Sequence, residues 1–297
     1  MAYIMEEVNV LKHDKEIKTY SLLVKHNKIS FMKENNQPIE SYFTMNLSQY
    51  ILTPGHVMID YNMQMMNFSQ FKTYITNKLI NRGCTTLISV FTIESEREFH
   101  DRLKEARARL LNSPIDYYLA LKLPLEKLTP SIVRKCKRNK IPAIFIEIEN
   151  VEAFKTHPWG WIKDALYQFP LAFFPIYKGP KMKSFNKIWS GVLKEQNIVF
   201  VQTCPKQHAP LPLDVLMKIG IYPSKGEIRI GGELDYNLYT CPEGMILETA
   251  SELDYDNQQP EITFHRGKIL KAGKEVYFRP GFGNECKVTV PGHFQLQ

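Results

Sequence analysis

The residues of this chain that can do chemistry fall into three groups. Asp60, Asn62 and Gln64 close the stretch Pro54-Gly55-His56-Val57-Met58-Ile59-Asp60-Tyr61-Asn62-Met63-Gln64. A neutral imidazole binds a divalent metal well and a carboxamide binds it poorly, so Asn62 and Gln64 are weak ligands. Lys122, Glu147 and Glu149 fall at the ends of adjacent apolar runs. They can form an acid-base pair in a small polar pocket, or a structural ion pair. Cys204 and His208 offer a thiol nucleophile and a base, or a small buried thiol at a strand end. Of the eight histidines, at 13, 26, 56, 100, 157, 208, 265 and 293, only His208 sits clearly at the C-terminal end of a predicted strand. A barrel builds its site at such ends. Catalytic zinc takes about three protein ligands, so no metal and no other cofactor are expected.

Other residues suggest contacts rather than catalysis. The formal charge is +7. Arg134, Lys135, Lys137 and Arg138 lead a basic run to Lys140, and Lys178, Lys181, Lys183 and Lys187 form a second. Such runs suit an acidic partner, whether nucleic acid, anionic lipid or acidic protein, or else a solvated helix end. No aromatic residue is interleaved with them, so nucleic acid is not expected. Trp159-Gly160-Trp161 can anchor a partner or clamp a loop onto the core.

An apolar fraction of 44% and a charged fraction of 23% are those of a globular chain. No apolar run approaches the roughly 18 residues that span a bilayer. Met1 to Leu11 carries Glu6 and Glu7 and no basic leader, so a signal peptide is not expected. Five scattered cysteines without a C-x-x-C pair suggest a reducing, cytoplasmic setting.

The spacing predicts strands over 19–25, 28–33 and 41–45, with a turn at His26-Asn27. Strands then alternate with helices. Strands are predicted over 57–61, 85–91, 116–123, 143–148, 171–177 and 197–203. Helices are predicted over 66–81, 94–111, 130–139, 161–168, 185–195 and 213–219. That alternation argues a parallel sheet covered by helices. Beyond 220 the pattern returns to strands, over 227–230, 238–240, 262–265, 276–278 and 287–290.

The stretch Pro54 to Gln64 resembles the opening of the amidohydrolase superfamily, "Pro-Gly, apolar, apolar-Asp, x, His-x-His", with Asn62 and Gln64 in place of the two histidines. Lys225-Gly226-Glu227-Ile228-Arg229-Ile230-Gly231-Gly232-Glu233-Leu234-Asp235 is similar to the family's return from barrel to sandwich. Ile115 to Tyr118 and Ile141 to Glu147 are similar to its third and fourth barrel strands. The likeness is to the dihydroorotase and allantoinase branch. It implies an α/β fold, a reduced (β/α) TIM-like barrel at 55–220 with a β-sandwich formed by both termini, 1–54 and 221–297. The family's metal-bridging lysine is matched by Glu147 or Glu149, and its catalytic aspartate by Cys204 or Gln207.

The stretch 55–220 is short for a barrel, which typically takes about 250 residues. Six strand-helix units are predicted, with a gap around 171–187. The expected function is that of a catalytically degenerate amidohydrolase-like protein, a pseudoenzyme that binds or supports others. The alternative is a metal-independent or unusual hydrolase of a small cyclic amide. Asn62, Gln64, Lys122, Glu147, Cys204 and His208 are expected to share a vestigial cleft. Trp159, Trp161 and the basic run are candidates for binding a protein, self or other. A small-molecule ligand is compatible with the cleft. The apolar run 169–177 is expected either to pack against a partner or to fill the shrunken barrel.

Overall fold

The computed structural model describes residues 2–12, 16–34, 42–180, 182–241 and 258–289. The first strands are β1 (Ala2–Leu11), β2 (Ile17–Lys25), β3 (Lys28–Glu34), β4 (Phe43–Asn46) and β5 (Tyr50–Pro54). His26 and Asn27 join β2 to β3 with φ of 51° and 59°. Two left-handed residues give the turn whose twist suits a hairpin. β1 was not among the predicted strands. Glu6-Glu7 interrupts its alternation, and its register against β2 shifts between Met5 and Val8, with Glu7 at φ 53°. This is a bulge, and it bends the strand. The first half of β1 pairs with β4 and the second half with β5.

From Gly55 the chain alternates. The order is β6 (His56–Asp60), α1 (Phe68–Lys78), β7 (Cys84–Thr92), α2 (Phe99–Leu110), β8 (Asp116–Pro124), α3 (Pro130–Arg138), β9 (Ala143–Ile148), α4 (Val151–Lys155), α5 (Trp159–Ala165), β10 (Ala172–Tyr177), α6 (Met182–Glu195) and α7 (Leu213–Ile219). Side chains mark the helix starts. Asn67 and Gln70 form a reciprocal capping box for α1, and Thr129 caps α3 ahead of Pro130. The five strands form one parallel sheet, in the order β10-β9-β8-β7-β6.

The predicted sixth strand, 197–203, is not one. Only Val199 and Val201 bond to β10, flanking Phe173 at 3.0 and 2.9 Å. The chain then crosses to the far edge, where Leu211 N–H donates to the Val57 carbonyl at 2.9 Å and His208 N–H to that of Ile59 at 3.3 Å. Pro205, Pro210 and Pro212 lack the N–H a ladder needs, which keeps this crossing irregular. Residues 199–211 therefore meet both edges of the half-barrel.

Alternation sorts the apolar side chains onto two faces. Val57, Ile59, Ile88, Val90, Ala120, Phe145 and Phe174 point inward, joined by Val201, Leu211 and three residues of α7. Leu87, Leu121, Ile146 and Phe173 point outward beneath α1 to α6. Of the two expectations for the 169–177 run, packing on a partner or filling the molecule's own interior, burial favours the second. Phe169, Leu171, Phe173 and Phe174 are all buried within the molecule.

The chain ends in β11 (Tyr236–Thr240), β12 (Ile262–His265), β13 (Lys268–Ala272) and β14 (Glu275–Val276). They join the first strands in a nine-stranded sheet of order β14-β13-β12-β11-β5-β1-β2-β3, with β4 on β1. The termini thus meet as expected, in one continuous and mainly antiparallel ladder whose strands share one apolar core. Residues 227–230 and 287–289 form no strand. The predicted strand ends at Ser41 and Val290 lie outside the described residues.

Candidate functional site at the strand ends

Asp60 ends β6 and is fully buried. Its Oδ1 accepts the backbone N–H groups of Asn62 at 2.8 Å and Met63 at 2.7 Å, which fixes the turn out of the strand. Its Oδ2 accepts from Tyr74 of α1 at 2.6 Å, from Gln207 at 3.0 Å and from His208 Nε2 at 2.6 Å. Burial by itself would raise the pKa of this carboxyl. The His208 and Tyr74 bonds and the two backbone donors outweigh burial and hold it below the usual carboxylate range. Burial and the adjacent Asp60 charge push the Tyr74 phenol up. An open groove of about 560 Å³ runs along α1, lined in part by Gln70, Thr73, Tyr74 and Asn77.

A second group lies at the ends of β8 and β9. Lys122 is 3.1 Å from Glu147, and Lys178, just past β10, is 3.2 Å from the same oxygen. The exposed Glu149 stands 3.9 Å from Lys178. Burial raises the Glu147 pKa, and the two ammonium groups lower it further than burial lifts it. In the third group the Tyr61 hydroxyl and the Cys204 thiol lie 2.7 Å apart. The Tyr61 ring meets the inward Phe145 edge-on at 5.4 Å. Burial pushes the Cys204 thiol up, against the lowering effects of Tyr61 and Lys122.

The predicted residues thus gather at the C-terminal ends of the strands as pairs and small clusters. Cys204 and His208 take different hydrogen-bond partners. Gln64 donates to Ser89 at 2.7 Å, and Asn62 is exposed. Tyr74, Tyr61 and Lys178 were missed as members of the site, and Gln207, one of the two matches to the family's catalytic aspartate, was left out of the expected cleft. Gln207 and Lys178 adjoin predicted residues or strand ends, and this was the available signal. Tyr74 reaches Asp60 only because α1 folds back over β6.

These donors do not fit a two-metal centre. Asn62 and Gln64 offer carboxamides, the Asp60 carboxylate is filled by five donors, and Glu147 is held by two lysines. The described residues do hold one group with ligand-like spacing, Asp116, Asp235 and His265. It lies at the opposite, N-terminal end of the strands. Lys225 Nζ already bridges it, 2.6 Å from Asp116 and 2.7 Å from Asp235, with Glu233 at 2.5 Å.

The contact candidates divide. Trp159 is 3% exposed, and its Nε1 donates to the Phe154 carbonyl at 2.9 Å, so it clamps α5 and is not an exposed anchor. Trp161 is 70% exposed. Arg134 and Arg138 are exposed on α3, Lys135 pairs with Glu96 at 3.0 Å, and Lys137 donates to the Tyr167 carbonyl.

No protein-family model matches the chain, and no curated protein matches it in sequence. Solved structures do match in shape. A D-hydantoinase aligns with a TM-score of 0.68 at 12% identity, covering 97% of this chain and 99% of that one. The D-hydantoinase (dihydropyrimidinase) from Thermus sp. aligns at 0.63 and 10%, covering 98% and 100%. The dihydropyrimidinase from Brevibacillus agri NCHU1002 aligns at 0.60 and 11%, covering 97% and 99%. Pairing of the half-barrel with the nine-stranded sheet, together with these alignments, identifies the fold as one shared with solved hydantoinases and dihydropyrimidinases.

Proposed function

We propose that this protein is a catalytically degenerate member of that fold, acting by binding or by supporting other molecules rather than by metal-assisted hydrolysis. One observation carries the reading. The Asp60 carboxylate, at the mouth where a metal would be bound, is fully buried and accepts five hydrogen bonds from the protein itself. A carboxylate so satisfied gains little from a cation and has no free lone pair to act as a base. The inward Phe145 and Phe174 rings, stacked 4.5 Å apart, fill part of the half-barrel's interior. Five unpaired cysteines support the proposed cytoplasmic location.

A metal-free hydrolase of a cyclic amide is the second reading. It is favoured by the His208–Asp60 contact of 2.6 Å beside Tyr74, an arrangement able to move a proton. Both readings are tested by zinc analysis of purified protein with a hydantoinase, dihydropyrimidinase and dihydroorotase assay. The first expects no stoichiometric zinc and no turnover. Turnover without metal that disappears in H208A establishes the second. One or two equivalents of zinc with turnover overturns both.

A further inference from the structure

We propose that the outer face of α3 and α5 docks on an anionic lipid surface. Residues 130–140 carry five cations, Arg134, Lys135, Lys137, Arg138 and Lys140, and no acidic residue. Lys135 is engaged by Glu96, but Arg134, Arg138 and Lys140 are exposed. The sequence showed no aromatic residue among these charges, and the fold supplies two. α5 packs beside α3, and Lys137 reaches the backbone of Tyr167 just past α5. Trp161 and Tyr167 are 70% and 72% exposed, among the most exposed large side chains described.

A cationic helix face with projecting Trp and Tyr has the composition of an interfacial surface. Indole and phenol rings prefer the headgroup region, where one end is apolar and the other wet. Basic side chains are drawn to the negative potential of anionic leaflets. A bilayer also asks for no groove, because its lipids rearrange around the charges. The groove described above lies along α1. Single-stranded nucleic acid, by contrast, is held in a charged groove that tracks its backbone. No described helix is long and apolar enough to cross a membrane, so the docking is peripheral.

This proposal concerns a face of the molecule separate from the strand-end site, so its failure leaves the pseudoenzyme reading untouched. The test is flotation of the whole protein with vesicles of phosphatidylcholine alone or mixed with phosphatidylserine, with tryptophan emission recorded. Trp159 and Trp189 are buried, so a change in emission reports Trp161. The expected result is binding to the phosphatidylserine vesicles only, a blue shift of emission, and release by salt. R134E/R138E should weaken binding by at least roughly thirtyfold, since the loss of each basic side chain costs about fivefold and each added carboxylate is repelled. W161S/Y167S should weaken it and abolish the shift. K268E/K274E, an equal charge change on the exposed β12–β14 hairpins, should bind like the wild type. All these side chains are exposed, and a thermal melt confirms that each variant is folded. Three results overturn the proposal: no binding to phosphatidylserine vesicles, equal weakening by both charge pairs, or a blue shift produced without lipid by single-stranded DNA or by self-association.

Discussion

His56 and His265 are both buried, and their surroundings push them in opposite directions. Burial lowers the His56 pKa to about 4, only partly offset by its bond to the Arg82 carbonyl at 2.9 Å. Its folded pKa lies below its ordinary value of about 6.5. Its contribution to stability is therefore complete above about pH 6.5 and is lost as pH falls toward 4, an effect of about 3 kcal/mol. His265 is held between Asp235 at 3.1 Å and Asp116 at 3.6 Å, the latter too long for a hydrogen bond. Burial alone would lower its pKa, and the two carboxylates raise it further than burial lowers it. Its contribution is complete below about pH 6.5 and is lost as pH rises through the higher folded value. Urea denaturation at a series of pH values should show both limbs. H56Q should flatten the acid one and H265Q the alkaline one. The two tryptophans make a second contrast. W159A should cost about 3 to 5 kcal/mol, because it empties a packed site. W161S should stay within about 0.5 kcal/mol. Equal losses in thermal melts would contradict the burial described for Trp159. The sequence offered Trp159 and Trp161 as a matched pair, since nothing local says which ring faces the core.

At the scale of elements, the irregular crossing 199–211 covers both edges of the half-barrel. Two bonds tie it to α6: Trp189 Nε1 donates to the Val201 carbonyl at 2.9 Å in the interior, and Gln202 donates to the Asn186 carbonyl at 2.8 Å at the surface. W189F keeps most of the ring volume and removes that donor. The buried carbonyl is then unsatisfied, at a cost of about 1 to 3 kcal/mol. Amide exchange should accelerate over 199–203 more than over β7 or β8. Uniform acceleration would mean that the segment is not separately anchored. The strands β7 to β10 were legible because each is a short apolar run between polar helices. Residues 197–203 have the same composition and failed as a strand. Asn197 takes a left-handed φ of 55°, and the prolines that follow cannot donate to a ladder.

The whole molecule is joined by one buried ionic cluster. Lys225, Glu233 and Asp235 lie on the return segment, His265 ends β12, and Asp116 begins β8 of the half-barrel. Burial would discharge Lys225, but Asp235, Asp116 and Glu233 raise its pKa and keep it charged. K225M leaves two carboxylates buried without their cation, an expected loss of about 3 to 5 kcal/mol. All three tryptophans lie between β9 and the end of α6, so their emission reports the half-barrel alone. In wild-type protein, tryptophan emission and far-ultraviolet circular dichroism should follow one urea transition. In K225M the two should separate. A variant as stable and as cooperative as the wild type would show that the cluster does not couple the two sheets.

The sequence by itself determined the alternation of strands and helices, the meeting of the two termini, and the presence of carboxamides at Asn62 and Gln64. These are properties of local pattern and residue type, which survive in one dimension. Tertiary structure alone decided that Asp60 is saturated by Tyr74, Gln207 and His208, that Cys204 pairs with Tyr61 rather than His208, and that Trp161 and Tyr167 stand beside the basic face of α3. Partners for Asp60 come from positions as far as 148 residues away, and no periodicity encodes such a meeting. It follows from the parallel sheet, which brings the end of its first strand and the chain that closes its last edge to the same rim.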